Sequence, residues 1–148
     1  MAGVNTAGTY KLEDAVLTMD TGGTPVTLEI AATKMAIVAE QHFASHARTG
    51  GVAPFEEYID STFTLMLGYL TGYGTDGIEA AFAALEGDEV AWSLETSGAS
   101  SPSATFPTFT FTAKVPRLSP LPETAWGEFA GEDTISIPIK GTVTKVTA

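Results

Sequence analysis

The stretch Thr108–Val115, TFTFTAKV, puts Phe109, Phe111, Ala113 and Val115 at every second position, with Thr108, Thr110, Thr112 and Lys114 between them. Successive side chains of a strand point to opposite faces, so this alternation describes a strand with one buried and one wet face. The pattern recurs along the chain. PVTLEIA alternates Val26, Leu28 and Ile30 with Thr27 and Glu29, and STFTLMLGYL sets Phe63, Leu65, Leu67 and Tyr69 on one face. DEVAWSLET aligns Val90, Trp92 and Leu94, and DTISIPIKG aligns Ile135, Ile137 and Ile139. TYKLEDAVLTM is a weaker candidate. TKMAIVAE is apolar on both faces, which predicts burial on both sides or a place at an interface. So many half-buried strands define a mostly β chain, a β-sandwich or barrel.

Turn signals divide the runs. DTGGTP, residues 20 to 25, suits a hairpin after the first strand. Pro138 falls inside a strand pattern and cannot donate to a ladder, so an edge position or a break is expected there. At 148 residues the chain reads as a single domain. Three loops are expected, about 41–55, 96–107 and 116–132; the first carries Gly50-Gly51, the second is Ser-rich and the third is Pro-rich.

One segment breaks the β pattern. In GTDGIEAAFAALEGDEVAW, residues Ile78, Ala81, Phe82 and Leu85 fall at i, i+3, i+4 and i+7, one stripe of a helix over about 77–86. Asp76 stands at the N-cap position with Glu79 three residues on, a capping-box pattern, and Gly87 sits where a left-handed C-cap belongs. A helix of about ten residues does not persist alone in water. It must dock on a sheet through Ile78, Phe82 and Leu85.

Charge and residue types narrow the function. The chain has 7 Lys and Arg against 18 Asp and Glu, net −11, and no Lys or Arg between Arg48 and Lys114. Gripping phosphates requires cations to displace counterions, so nucleic-acid binding is not expected. There is no cysteine, which removes disulfides, thiolate metal sites and thiol nucleophiles and is compatible with a reducing compartment. The opening MAGVNTAGTYKLED lacks the pattern of a secretory signal, and no apolar run approaches the ~20 residues of a membrane helix. His42 and His46, spaced i, i+4 beside Glu40, would share a metal only on a helix, and the segment reads as loop. Glu56-Glu57, Asp88-Glu89 and Glu132-Asp133 are pairs that 18 carboxylates produce by chance. SGASSPS lacks the strand–elbow–helix setting of a nucleophilic serine. The glycines of GYLTGYGTDG lead into a helix N-terminus but no lysine follows to hold an anion. No catalytic residue, metal ligand or cofactor is nominated, and an enzyme is not expected.

The order of pieces resembles the major tail tube proteins of long, non-contractile tailed phages. The resemblance runs from a hairpin around DTGGTPVTLEIA, through a long loop, to STFTLMLGYL. It continues with the helix-and-strand unit DGIEAAFAALEGDEVAWSLE, then PTFTFTAKVPRLSPL and the closing DTISIPIKGTVTKV, and so covers essentially the whole chain. It rests on layout and not on a signature motif. The resemblance implies a β-sandwich or barrel with one flanking helix, assembled as hexameric rings that stack into the tail tube of a virion. It implies partners of the same kind: further copies of the chain, and tape measure, tail terminator and distal tail proteins. DNA would pass through without specific binding, and no membrane is involved. The loop 41–55 would help join ring to ring, and the family supplies no active-site residues. On this implication the candidate interface residues are His42, Phe43, His46, Arg48 and Phe55, with Trp126 and Phe129 as aromatic anchors in the third loop.

Geometry runs the same way. Strands about 4.8 Å apart and tilted about 40° each take roughly 6 Å of circumference, so a bore of roughly 40 Å needs on the order of 20 strands. Seven or eight strands per chain leave closure to a ring, and a negative lumen would repel DNA phosphates. Two other readings compete: a monomeric β-sandwich binding module, carbohydrate-binding or decoration-type, displaying Trp126, and the tube of a phage-like injection or secretion machine.

Overall fold

The computed structural model describes residues 15–23, 25–28, 32–47, 50–51, 55–72, 77–96, 102–103, 106–121, 126 and 132–148. The described elements are β1 (Val16–Asp20), β2 (Val26–Thr27), β3 (Ala32–His46), β4 (Phe55–Leu70), α1 (Ile78–Leu85), β5 (Glu89–Glu95), β6 (Thr108–Lys114) and β7 (Glu132–Val146). The chain is mostly β with one short helix, as its periodicity requires. All seven strands join one antiparallel sheet in the order β2-β1-β5-β6-β7-β4-β3, where a sandwich of separate sheets was one expectation.

β7 makes this possible by changing partner. It pairs with β4 from Glu132 to Pro138, and with β6 from Ile139 to Val146. Of the two alternatives for Pro138, an edge or a break, the edge fails: it lies in an interior strand, at the point of exchange where each ladder breaks and a missing N–H is tolerated. Beyond it Thr112 pairs with Lys140 and Thr110 with Thr144, so Gly141, Thr142 and Val143 together stand opposite Phe111. Gly141 absorbs this bulge with φ +74°.

The sheet is strongly curled. Four inter-strand steps separate β3 from β5, about 19 Å if flat, yet Met35 and Leu94 line one cleft. The inner face carries the alternating apolar residues: Leu17 and Met19, Leu65 and Leu67, Val90 and Trp92, Phe111 and Ala113, and Ile137 are all buried. Tyr69 is buried among them and donates to Asp133 Oδ2 at 3.1 Å.

The helix closes this face. Ile78 and Phe82 are buried and Leu85 packs against the same cluster, so the stripe docks as its spacing dictates. Phe82 meets Trp92 edge-on at 6.2 Å, and Trp92 stacks on Phe111 at 6.1 Å. Gly87, φ +82°, ends the helix, and its N–H donates to the Val115 carbonyl at 2.8 Å. The start differs from expectation. The N-cap is Gly77 with no side-chain cap hydrogen bond, so Glu79 lies one position too early for a capping box, and Asp76 lies outside the described residues. Packing of the buried Ile78 holds the first turn to the core.

Three other expectations need correction. PVTLEIA yields only the two-residue β2 among its described residues. For TKMAIVAE, burial on both faces fails and the interface alternative stands open: it belongs to edge strand β3, where Met35 and Ile37 are half-buried and Ala36, Val38 and Ala39 are exposed. Of the ten described residues of the expected loop 41–55, seven are strand, since β3 continues to His46 and β4 begins at Phe55.

Candidate assembly surface

The β3–β4 hairpin is where the fold stops covering itself. β7 supports β4 only as far out as Thr64. From Ala39↔Phe63 outward to His46↔Phe55 the two strands pair, among the described residues, only with each other, a ribbon about 27 Å long at about 3.4 Å per residue. Residues 55–60 are all exposed, and so are most of 38–46. An isolated two-stranded ribbon is at best marginally stable in water.

Its sequence explains both its formation and its incompleteness. Gly50 and Gly51, with φ +77° and +74°, lie midway between the paired residues His46 and Phe55 and turn the chain back. Ile59 is the extra residue where His42↔Asp60 gives way to Phe43↔Tyr58. Cross-strand pairs hold the register. Phe43 and Tyr58 meet edge-on at 5.6 Å, and His46 stacks on Phe55 at 6.0 Å. On the opposite face from Phe43, His42 Nε2 lies 3.1 Å from Thr62 Oγ1 and His46 Nε2 lies 3.3 Å from Glu57. Large apolar side chains nevertheless face solvent: Phe43 is 54% exposed, Phe55 44%, Tyr58 53% and Ile59 61%.

Of the residues nominated from sequence, His42, Phe43, His46 and Phe55 therefore come together on one ribbon. Arg48 and Phe129 lie outside the described residues. Trp126 is fully exposed. On a strand, His42 and His46 are about 13 Å apart, too far to share an ion, and no group of three or more His, Asp or Glu among the described residues is placed to hold a metal. Tyr58 and Ile59 were not nominated. The signal that could have found them is the placement of Gly50-Gly51 midway between two stretches that both tolerate extension.

The acidic residues of the ribbon are Glu40, Glu56, Glu57 and Asp60, with no Lys or Arg among its described residues. The outer face of the sheet differs. Ser93, Thr110, Thr112, Thr142 and Thr144 line a shallow groove there with Asp20. Charges around it are mixed: Lys140 pairs with Glu89 at 3.1 Å, and Lys34 with Glu132 at 3.2 Å. Lys34 reaches Glu132 across Gly68, where a Cβ would meet Lys34 Cγ at 2.6 Å. No helix among the described residues is long and apolar enough to cross a membrane.

No protein-family model matches the chain, and no curated protein does.

Proposed function

We propose that this chain is a self-assembling wall subunit of a tube, a major tail tube protein of the long non-contractile phage type. Hexameric rings would stack into a virion tail, alongside tape measure, tail terminator and distal tail proteins. One observation carries the reading: β3 is a 15-residue strand at the open edge of the sheet, and its outer half is an uncovered ribbon. Such an edge presents unpaired N–H and C=O groups that natural monomers blunt with a short strand, prolines or inward charges. β3 contains no proline and a single lysine, Lys34. Further copies of the chain would supply what the edge lacks, and a closed ring abolishes edges altogether.

The two sheet faces fit unequal roles. The inner face holds the core and the helix, so the helix would face away from the bore. The outer face would line it, offering hydroxyls and mixed charges without a cationic grip, and duplex DNA would slide past unbound. The acid-rich ribbon would add to the negative field of the conduit. The injection or secretion tube shares this ring and differs in cargo. A monomeric binding module is favoured by one feature, the fully exposed Trp126.

Sedimentation velocity and negative-stain microscopy over a wide concentration range decide between ring and monomer. Rings or tubes are expected. A single monomeric species at every concentration would refute the proposal.

A further inference from the structure

A cleft of about 340 Å³ opens on the inner side of the sheet at the root of the ribbon. Its walls include Met35, Ile37, Phe63, Leu94, Phe109 and Val143, with Lys145 at the rim. Its one buried hydroxyl, Thr96, already donates to the Pro107 carbonyl at 2.7 Å. Lys145 is exposed and takes part in no salt bridge among the described residues, in a chain of net charge −11. The cleft therefore asks for an apolar group flanked by negative charge.

The outer ribbon has that character. Phe43 and Tyr58 form an exposed aromatic pair, the bulged Ile59 follows Tyr58, and Glu56, two residues before Tyr58, shares their face, with Glu57 and Asp60 on the other. At about 30 Å³ per water-sized group, the cleft holds on the order of eleven non-hydrogen atoms, the size of one aromatic ring with an isoleucine side chain. The chain's own ribbon cannot fill it. Ile37 is a wall of the cleft, and Phe43 lies six residues further out, about 20 Å away along a continuously paired strand.

We propose that the cleft receives the outer ribbon of a second copy of this chain, with Tyr58 and Ile59 in the apolar pocket and Glu56 facing Lys145. The proposal rests on the self-assembly reading and specifies its contact. Each copy gives one ribbon and receives one. Such a head-to-tail contact is heterologous, and it generates a ring when the rotation closes and a filament when it does not.

The absence of native cysteine allows a direct test. Purified Ile59→Cys and Val143→Cys proteins are mixed, allowed to assemble and mildly oxidised. Disulfide-linked dimers are expected from the mixture, well above the yield from Ile59→Cys mixed with Thr110→Cys, which puts the thiol on the outer face. Lys145→Glu is expected to weaken association about two- to fivefold, as a rim charge does, and Glu56→Lys in the same chain, on the face of Tyr58, is expected to restore part of it. Rings or tubes that form with no more cross-linking than the control would overturn the docking proposal and leave the assembly reading standing. A protein that stays monomeric throughout would overturn both.

Discussion

Replacing Phe82 with alanine removes the side chain that ties the helix to the sheet. Phe82 is fully buried, with its ring edge-on to Trp92 at 6.2 Å. Losing a buried phenyl forfeits a transfer free energy of about 1.5–3 kcal/mol, and the residual cavity brings Phe→Ala changes to about 3–5 kcal/mol. The two walls of this cavity respond differently. Trp92 sits on β5, which is hydrogen-bonded on both sides to β1 and β6, and its indole N–H donates to the Ala113 carbonyl at 3.2 Å. That wall cannot move. The helix is held by Ile78, Leu85 and the Gly87–Val115 hydrogen bond, and it can settle part of the way into the gap. The expected loss is therefore about 3–4 kcal/mol, the lower part of the range. Urea unfolding followed by tryptophan fluorescence measures it, because Trp92 is the neighbour of the deleted ring. The titration is run at several protein concentrations, since assembly raises apparent stability by mass action. The midpoint should fall with the slope unchanged, and Phe82→Leu should lose much less. A loss below about 1 kcal/mol in Phe82→Ala would mean that the helix does not close the core.

Two further outcomes follow from single residues. Tyr69 has its phenol pushed up to about 12, first by burial and then by its hydrogen bond to Asp133. A folded-state pKa above the unfolded value of 10.0 gives stability that is complete below pH 10 and is lost as the pH rises through 12, at most about 3 kcal/mol. Urea titrations at pH 8 and pH 11.5 should show a smaller drop for Tyr69→Phe than for the wild type; equal drops would refute the assignment. At Gly141, φ +74° with open space where a Cβ would stand, alanine should cost about 1–2 kcal/mol through the backbone alone. Asparagine should cost less, and a denaturant midpoint that ranks the two the other way would count against this account.

Legibility in the sequence followed burial. β5, β6 and the inner half of β7 were readable because each buries one face, and Val90, Trp92, Phe111, Ala113, Ile137 and Ile139 carry the imprint. The helix was readable for the same reason at a different period, through Ile78, Phe82 and Leu85. Its first turn was misread because Asp76 and Glu79 satisfy a capping pattern that packing makes unnecessary. For Pro138 the break alternative fits and the edge does not, because the rule against proline in interior strands assumes constant neighbours, and β7 exchanges β4 for β6 at that residue.

The ribbon is the informative failure. Alternation is written into a strand by the contrast between a dry face and a wet one, and residues 41–46 and 55–60 have no buried side chain within their own chain. Without that contrast they look like loop. Yet an ordinary solvated hairpin does not need Phe43, Phe55, Tyr58 and Ile59 at its surface, all at least 44% exposed, with Phe43 and Tyr58 in contact on one face and Phe55 on the other. Apolar patches on monomers are small, and larger ones mark surfaces that another molecule covers. A strand pair that lacks an internal pattern and still keeps aromatic and β-branched side chains is what results when the dry face is supplied from outside. Under the assembly proposed above, the illegible segment and the interface would be the same segment, and the covering surface would have to be apolar, able to accept a ribbon and tolerant of acid, as the cleft beside Lys145 is.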